Sequence, residues 1–147
     1  MTGRSRWIVG SPILLRALYA FLYMVSGQLF LRGWANPLAI DGYLAEFLRT
    51  VPGWMLALWA VYATGYLVSA LCCLAGRPLA ALLVYAGAFA IDVPLWIWSY
   101  QSPATDMVWN GYASWLDMGF NVFDLSAIVV LVFVWRASRA TAVPEPK

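Results

Sequence analysis

Ser114-Trp115-Leu116-Asp117-Met118-Gly119-Phe120-Asn121-Val122-Phe123-Asp124-Leu125, which runs on apolar to Trp135, is the stretch whose reading decides the fold. About 20 apolar residues in a helix cross a bilayer, and this run is long enough to do so. Asp117, Asn121 and Asp124 stand at i, i+4 and i+7 and share one face of that helix. A carboxylate near the bilayer centre costs at least roughly 2.5–3.5 kcal/mol on insertion scales. That face therefore turns away from lipid, and other helices have to cover it.

The remainder of the chain has the composition to supply them. Of 147 residues, 63% are hydrophobic and 11% are charged, the latter less than half the share found in soluble domains. The length suits a single domain, residues 1–147, with four crossings at about 12–32, 53–75, 79–100 and 114–135. The expected fold is all-α: an integral membrane four-helix bundle with a short interfacial helix between the first two crossings. Histidine is absent, which removes the usual ligand of haem, zinc and copper and the handiest proton shuttle. Cys72 and Cys73 are adjacent and read as small apolar side chains, without a disulfide framework or metal site. A net charge of +2 is too small to point to nucleic acid. The lipid bilayer is the first partner implied, and no metal is expected.

Met1 to Gly10 carries Arg4 and Arg6 ahead of the apolar run, as a signal peptide would. The run is too long for one and no small-residue cleavage site follows, so it reads as a retained first helix. Arg16 falls about one turn inside that crossing and reads as an anchor that snorkels to the headgroups. Leu44, Phe47, Leu48 and Val51 recur at helical spacing, predicting an amphipathic interfacial helix near 38–49, with Trp34 and Trp54 at headgroup level. In the second crossing Gly65, Ser69 and Cys73 form a small-residue stripe that lets helices approach. Gly76-Arg77-Pro78 is a tight turn, with Gly ending one helix and Pro starting the next. Residues 101–113 read as a polar loop, and the segment after Trp135 as a short disordered tail. Arg4, Arg6, Arg77, Arg136, Arg139 and Lys147 fall on one side, Arg32 and Arg49 on the other. The positive-inside rule then puts both termini in the cytoplasm, and the expected location is a bacterial inner membrane.

A helix rises about 1.5 Å per residue, so depth follows from each outer end. Asp92 and Asn121 come out roughly 10 Å below the outer surface and Asp124 about 15 Å. Tyr23 and Tyr62 fall at about 13–14 Å. Each crossing thus offers a polar or phenolic group at one level, and Asp92, Asp124, Asn121, Tyr23 and Tyr62 form the candidate site. Gln28, Arg32 and Asp117 lie above them as a second tier. Ser114 and Asp117 also fit a capping box, and Asn121 an interhelical hydrogen bond. With no cation at their level, Asp92 and Asp124 are expected to be protonated or to face a polar cavity, and to point inward.

Phe21-Leu22-Tyr23-Met24-Val25-Ser26-Gly27 followed by an outer amphipathic segment, the Gly76-Arg77-Pro78 turn and the spacing of the four crossings resemble the DoxX-like family of small four-helix membrane proteins. That family includes the small membrane subunit of a thiosulfate:quinone oxidoreductase. The resemblance implies a membrane partner in quinone-linked redox chemistry rather than an enzyme acting alone.

Two functional readings follow. The first is a non-catalytic membrane subunit of a larger quinone-linked electron-transfer complex, whose other membrane subunits are its partners. It binds no cofactor by itself, beyond contact with a quinone or a lipid. The absence of metal and haem ligands and the content of 9 Trp, 8 Tyr and 7 Phe motivate it. The second is a small proton-coupled transporter using Asp92 and Asp124. No nucleophile–base pair or metal set stands out, which leaves a membrane enzyme the weakest class.

Overall fold

A computed structural model describes residues 3–40, 42–101 and 112–140. They form five helices in the order α1 Gly3–Leu31, α2 Gly42–Thr50, α3 Gly53–Leu74, α4 Pro78–Gln101 and α5 Tyr112–Ala140. Four are long and apolar enough to cross a membrane: Arg4–Leu31, Gly53–Leu74, Pro78–Ser99 and Met118–Ala140. The chain is therefore an all-α, multi-pass membrane bundle, and α2 is the short amphipathic helix between the first two crossings. The loop expected over 101–113 lies almost wholly outside the described residues, as do residues 141–147.

Three boundaries differ from the sequence reading; the interfacial helix α2 begins at Gly42 rather than near residue 38. α1 begins at Gly3 rather than near residue 12, because nothing from Gly3 to Ser11 stops a helix and Pro12 is accommodated within it. α5 continues to Ala140, so Arg136 and Arg139 sit on its last turns and not in a tail. Basic residues suit a helix C-terminus, where the free carbonyls carry partial negative charge.

The helix ends follow local chemistry. Gly76 has φ +75°, a left-handed conformation in which a β-carbon would be strained. There its N–H donates to Cys73 O at 3.0 Å and the Arg77 N–H to Cys72 O at 2.9 Å, closing a Schellman cap. Pro78 then starts α4 where no N–H is needed. α1 ends the same way at Gly33, with the Trp34 N–H donating to Leu29 O at 3.0 Å. In the loop that follows, the Asn36 side chain donates to Ile40 O at 2.9 Å and accepts from Ile40 N at 2.7 Å. That reciprocal pair delivers buried Ile40 to Ala45 and Leu48 of α2.

Neighbouring helices follow the order α1–α3–α4–α5, and α5 touches α1 only lightly. Near the α3–α4 turn the core is closed: Ala17, Ala70, Cys73, Ala81 and Leu131 are fully buried. The small-residue stripe does what its spacing implies. A β-carbon on Gly65 would come to 3.0 Å from Ala88 Cβ, and the Ser69 hydroxyl donates across to Ala81 O at 2.7 Å. The exposed apolar side chains, among them Leu22, Val61, Leu83 and Phe133, face outward. In water such a surface would be a liability; in a bilayer it is the solvent-matched face.

Candidate functional site

Where the closed half of the bundle ends, five polar side chains from all four crossing helices meet. Arg16 comes from α1, Tyr66 from α3, Tyr85 and Asp92 from α4, and Asp124 from α5. Arg16 Nη2 donates to Asp124 Oδ2 at 2.9 Å and lies 3.6 Å from Asp92 Oδ2. Tyr85 donates its hydroxyl to Asp124 Oδ1 at 2.6 Å. Tyr66 has one proton to give and faces two acceptors, Asp92 Oδ2 at 3.0 Å and Asp124 Oδ2 at 3.3 Å. The guanidinium is also held between rings, 5.1 Å from the centroid of Tyr66 and 4.6 Å from that of Phe120.

This geometry corrects the reading of Arg16. It is no anchor at a helix end: from Gly3, thirteen residues at about 1.5 Å each place it about 20 Å along α1. At that depth an arginine without a partner would be costly, and ion pairing with hydrogen bonds offsets the cost. The same geometry corrects the expectation that Asp92 and Asp124 lack a cation at their level. Their roles also separate. Asp124, 1% exposed, has both oxygens engaged by Arg16, Tyr66 and Tyr85, the arrangement of a structural carboxylate. Asp92 is more open, with its side chain 17% exposed.

What Asp92 opens onto is a cavity of about 290 Å3 in the other half of the bundle. Arg16 and Asp92 form its floor, and Tyr23, Trp59, Tyr62 and Phe120 stand in its wall. Tyr23 packs against Tyr19 and Trp59 with centroids 6.1 and 5.9 Å apart, and Tyr62 against Tyr66 at 5.9 Å. Leu44, Phe47, Leu48 and Val51 of the α2 segment close the far end. The lining reaches the outer surface at Trp98 and Leu116, which are 36% and 40% exposed.

The structure therefore gathers the five first-tier residues around one space, but not in one role. Tyr23, Tyr62 and Asn121 line the cavity, Asp92 lies at its floor, and Asp124 lies beneath it. Gln28 and Arg32 are not part of the lining; Arg32 is exposed and its guanidinium lies 5.0 Å from the Trp34 ring centroid. The side chain of Asp117 lies outside the described residues. Comparison with known protein families, curated proteins and solved structures finds no match. The chemistry of the site rests on its own geometry.

Arg16, Tyr66 and Tyr85 were missed by sequence reasoning. One signal was present: Tyr85 and Asp92 are seven residues apart on α4, and Arg16 and Tyr23 seven apart on α1. Each pair lies on a single helical face. Chemically, the site offers an apolar aromatic chamber with a fixed guanidinium and a carboxylate at one end. Arg16 Nε is buried and has no hydrogen-bond partner among the described residues. A ligand oxygen reaching the floor would meet the Arg16 and Asp92 side chains that line it. Among the described residues, no three of His, Cys, Asp or Glu are grouped so as to hold a metal ion.

Proposed function

We propose that the chain is a DoxX-like, non-catalytic membrane subunit of a larger quinone-linked electron-transfer complex, and that its cavity receives a quinone head group. The observation that carries this reading is the aromatic-walled chamber floored by Arg16 and Asp92. Ligand sites are mostly apolar concavities with a few placed polar groups, and this one is near the lower end of their usual size. A substituted six-membered ring with carbonyl oxygens matches that pattern. Its faces would lie against Tyr23, Trp59 and Phe120, and one carbonyl would accept from Arg16. An isoprenoid tail would leave for the lipid past Trp98 and Leu116. The redox centre belongs to a partner subunit in this reading. The chain is placed in a bacterial inner membrane in this reading, and the excess of arginines at the end where α1 starts and α5 stops supports a cytoplasmic placement of that end.

The test is a titration of the purified full-length chain in detergent with decylubiquinone, read by quenching of tryptophan fluorescence. Saturable quenching is expected, with affinity falling by about tenfold or more in Ala20→Phe, which puts a ring into the chamber. Quenching that is linear, or unchanged in Ala20→Phe, would mean simple partitioning into the micelle and would remove the reading. Co-purification of a redox subunit in mild detergent is the second expected result.

A second reading, a small proton-coupled transporter, has one observation in its favour. Arg16 carries one positive charge, while two carboxylates share its level. With both ionised the cluster has one negative charge in excess, which a proton or a cationic substrate would balance. Proton-coupled uptake of tetraphenylphosphonium into proteoliposomes, lost in Asp92→Asn, would favour this reading over the first.

A further inference from the structure

At the end of the bundle opposite α2 lies a second concavity, unconnected with the quinone reading. It is a groove of about 490 Å3 between the start of α4 and the end of α5, with Arg77, Leu79, Leu83, Trp135 and Arg139 in its lining. Arg77 and Arg139 are exposed, and the ion pairs among the described residues involve neither of them. The Arg139 guanidinium sits 5.1 Å from the Trp135 ring centroid. Leu79 and Leu83, 43% and 63% exposed, carry the groove along α4 into the apolar belt. Cation, indole and aliphatic side chains are thus stacked in the order of a membrane interface: phosphate, glycerol region, hydrocarbon. Arg4, Arg6 and Arg136 stand at the same end, and no Asp or Glu does among the described residues.

We propose that this groove binds an anionic phospholipid, with the phosphate between Arg77 and Arg139 and an acyl chain along Leu79 and Leu83. Charge complementarity selects the headgroup. Planar guanidinium groups pair with phosphate oxygens through two parallel hydrogen bonds, and uncompensated arginines repel the ammonium of a zwitterionic lipid. The exposed leucines select a lipid over free phosphate, because an inorganic ion makes no use of them. Basic pockets between membrane helices commonly take such headgroups.

The full-length chain in detergent is titrated with dioleoylphosphatidylglycerol, dioleoylphosphatidylcholine or inorganic phosphate, and binding is read from the rise in Tm. Phosphatidylglycerol should stabilise at concentrations where the other two do not. An arginine that contacts the bound phosphate in the groove contributes about fivefold in affinity, so R77Q/R139Q should need about 25-fold more phosphatidylglycerol. The charge-matched R4Q/R136Q removes two cations from the same end but none from the groove, and should stay within about twofold of the parent. If R77Q/R139Q does not fold, the single variants, each expected to be about fivefold weaker, replace it. An equal response to phosphatidylcholine, the same shift with phosphate alone, or equal losses in both double variants would overturn the proposal.

Discussion

In the half of the bundle near the α3–α4 turn, Ala17, Ala70, Cys73 and Ala81 are fully buried and leave no room between helices. In the half near α2, Tyr23, Trp59, Tyr62 and Phe120 stand around a space of about 290 Å3. Both halves are built from apolar side chains on the same helices. The difference is size: small side chains bring backbones together, whereas rings prop them apart and need a separate helix, α2, to close the gap. Between the halves lies the cluster of Arg16, Asp92, Asp124, Tyr66 and Tyr85, which fastens the helices at the level where packing changes. A membrane bundle gains little from hydrophobic burial between its helices, so polar contacts and close packing have to supply specificity. Here they occupy adjacent layers.

The largest effect should come from breaking the layer between the halves. Arg16→Met strands two carboxylates at mid-bundle, and removal of one partner of a buried ion pair costs about 3–5 kcal/mol. Thermal unfolding in detergent should show this loss, and a Tm close to the parent's would mean that the cluster fastens nothing. Next comes one substitution placed in each half. Ala70→Phe overpacks the closed side and should cost about 3 kcal/mol, the upper part of the range for added core volume. Ala20→Phe on the cavity side should cost less than about 1 kcal/mol, because its ring enters existing space. Equal losses would erase the distinction between the two halves. Tyr85→Phe removes one hydroxyl from Asp124 and should cost about 1.5–3 kcal/mol, the usual worth of a hydrogen bond to a charged group. Arg32→Gln, at an exposed site away from both layers, should change stability by less than about 0.5 kcal/mol.

The fold could be read from the sequence because its cues are local and long. Four apolar runs, a Gly-Arg-Pro turn and an amphipathic segment each speak for themselves, and helix caps at Gly33 and Gly76 follow from one residue type. The site was legible only in part. The inward placement of Asp92 and Asp124 follows from the cost of exposing carboxylates to lipid, which a single sequence carries. Arg16 was misread through an error of boundary. With the first helix started near residue 12, Arg16 lay close enough to an end to snorkel; with the start at Gly3 it is too deep. Tyr66 and Tyr85 were hidden for another reason. In an aromatic-rich chain a tyrosine reads as packing unless its partner is known, and both partners are on other helices. The groove at Arg77 and Arg139 was likewise out of reach, since it exists only once α5 is extended to Ala140.

The claim on which the rest depends is that Arg16 and Asp124 act as one unit across α1 and α5. A double-mutant cycle with Arg16→Met and Asp124→Leu, followed by reversible unfolding in detergent, measures it directly. The pair should couple by about 2–3 kcal/mol, with the double variant more stable than the sum of the single losses allows. Single losses that add to within about 0.5 kcal/mol would show two independent residues, and would contradict the account.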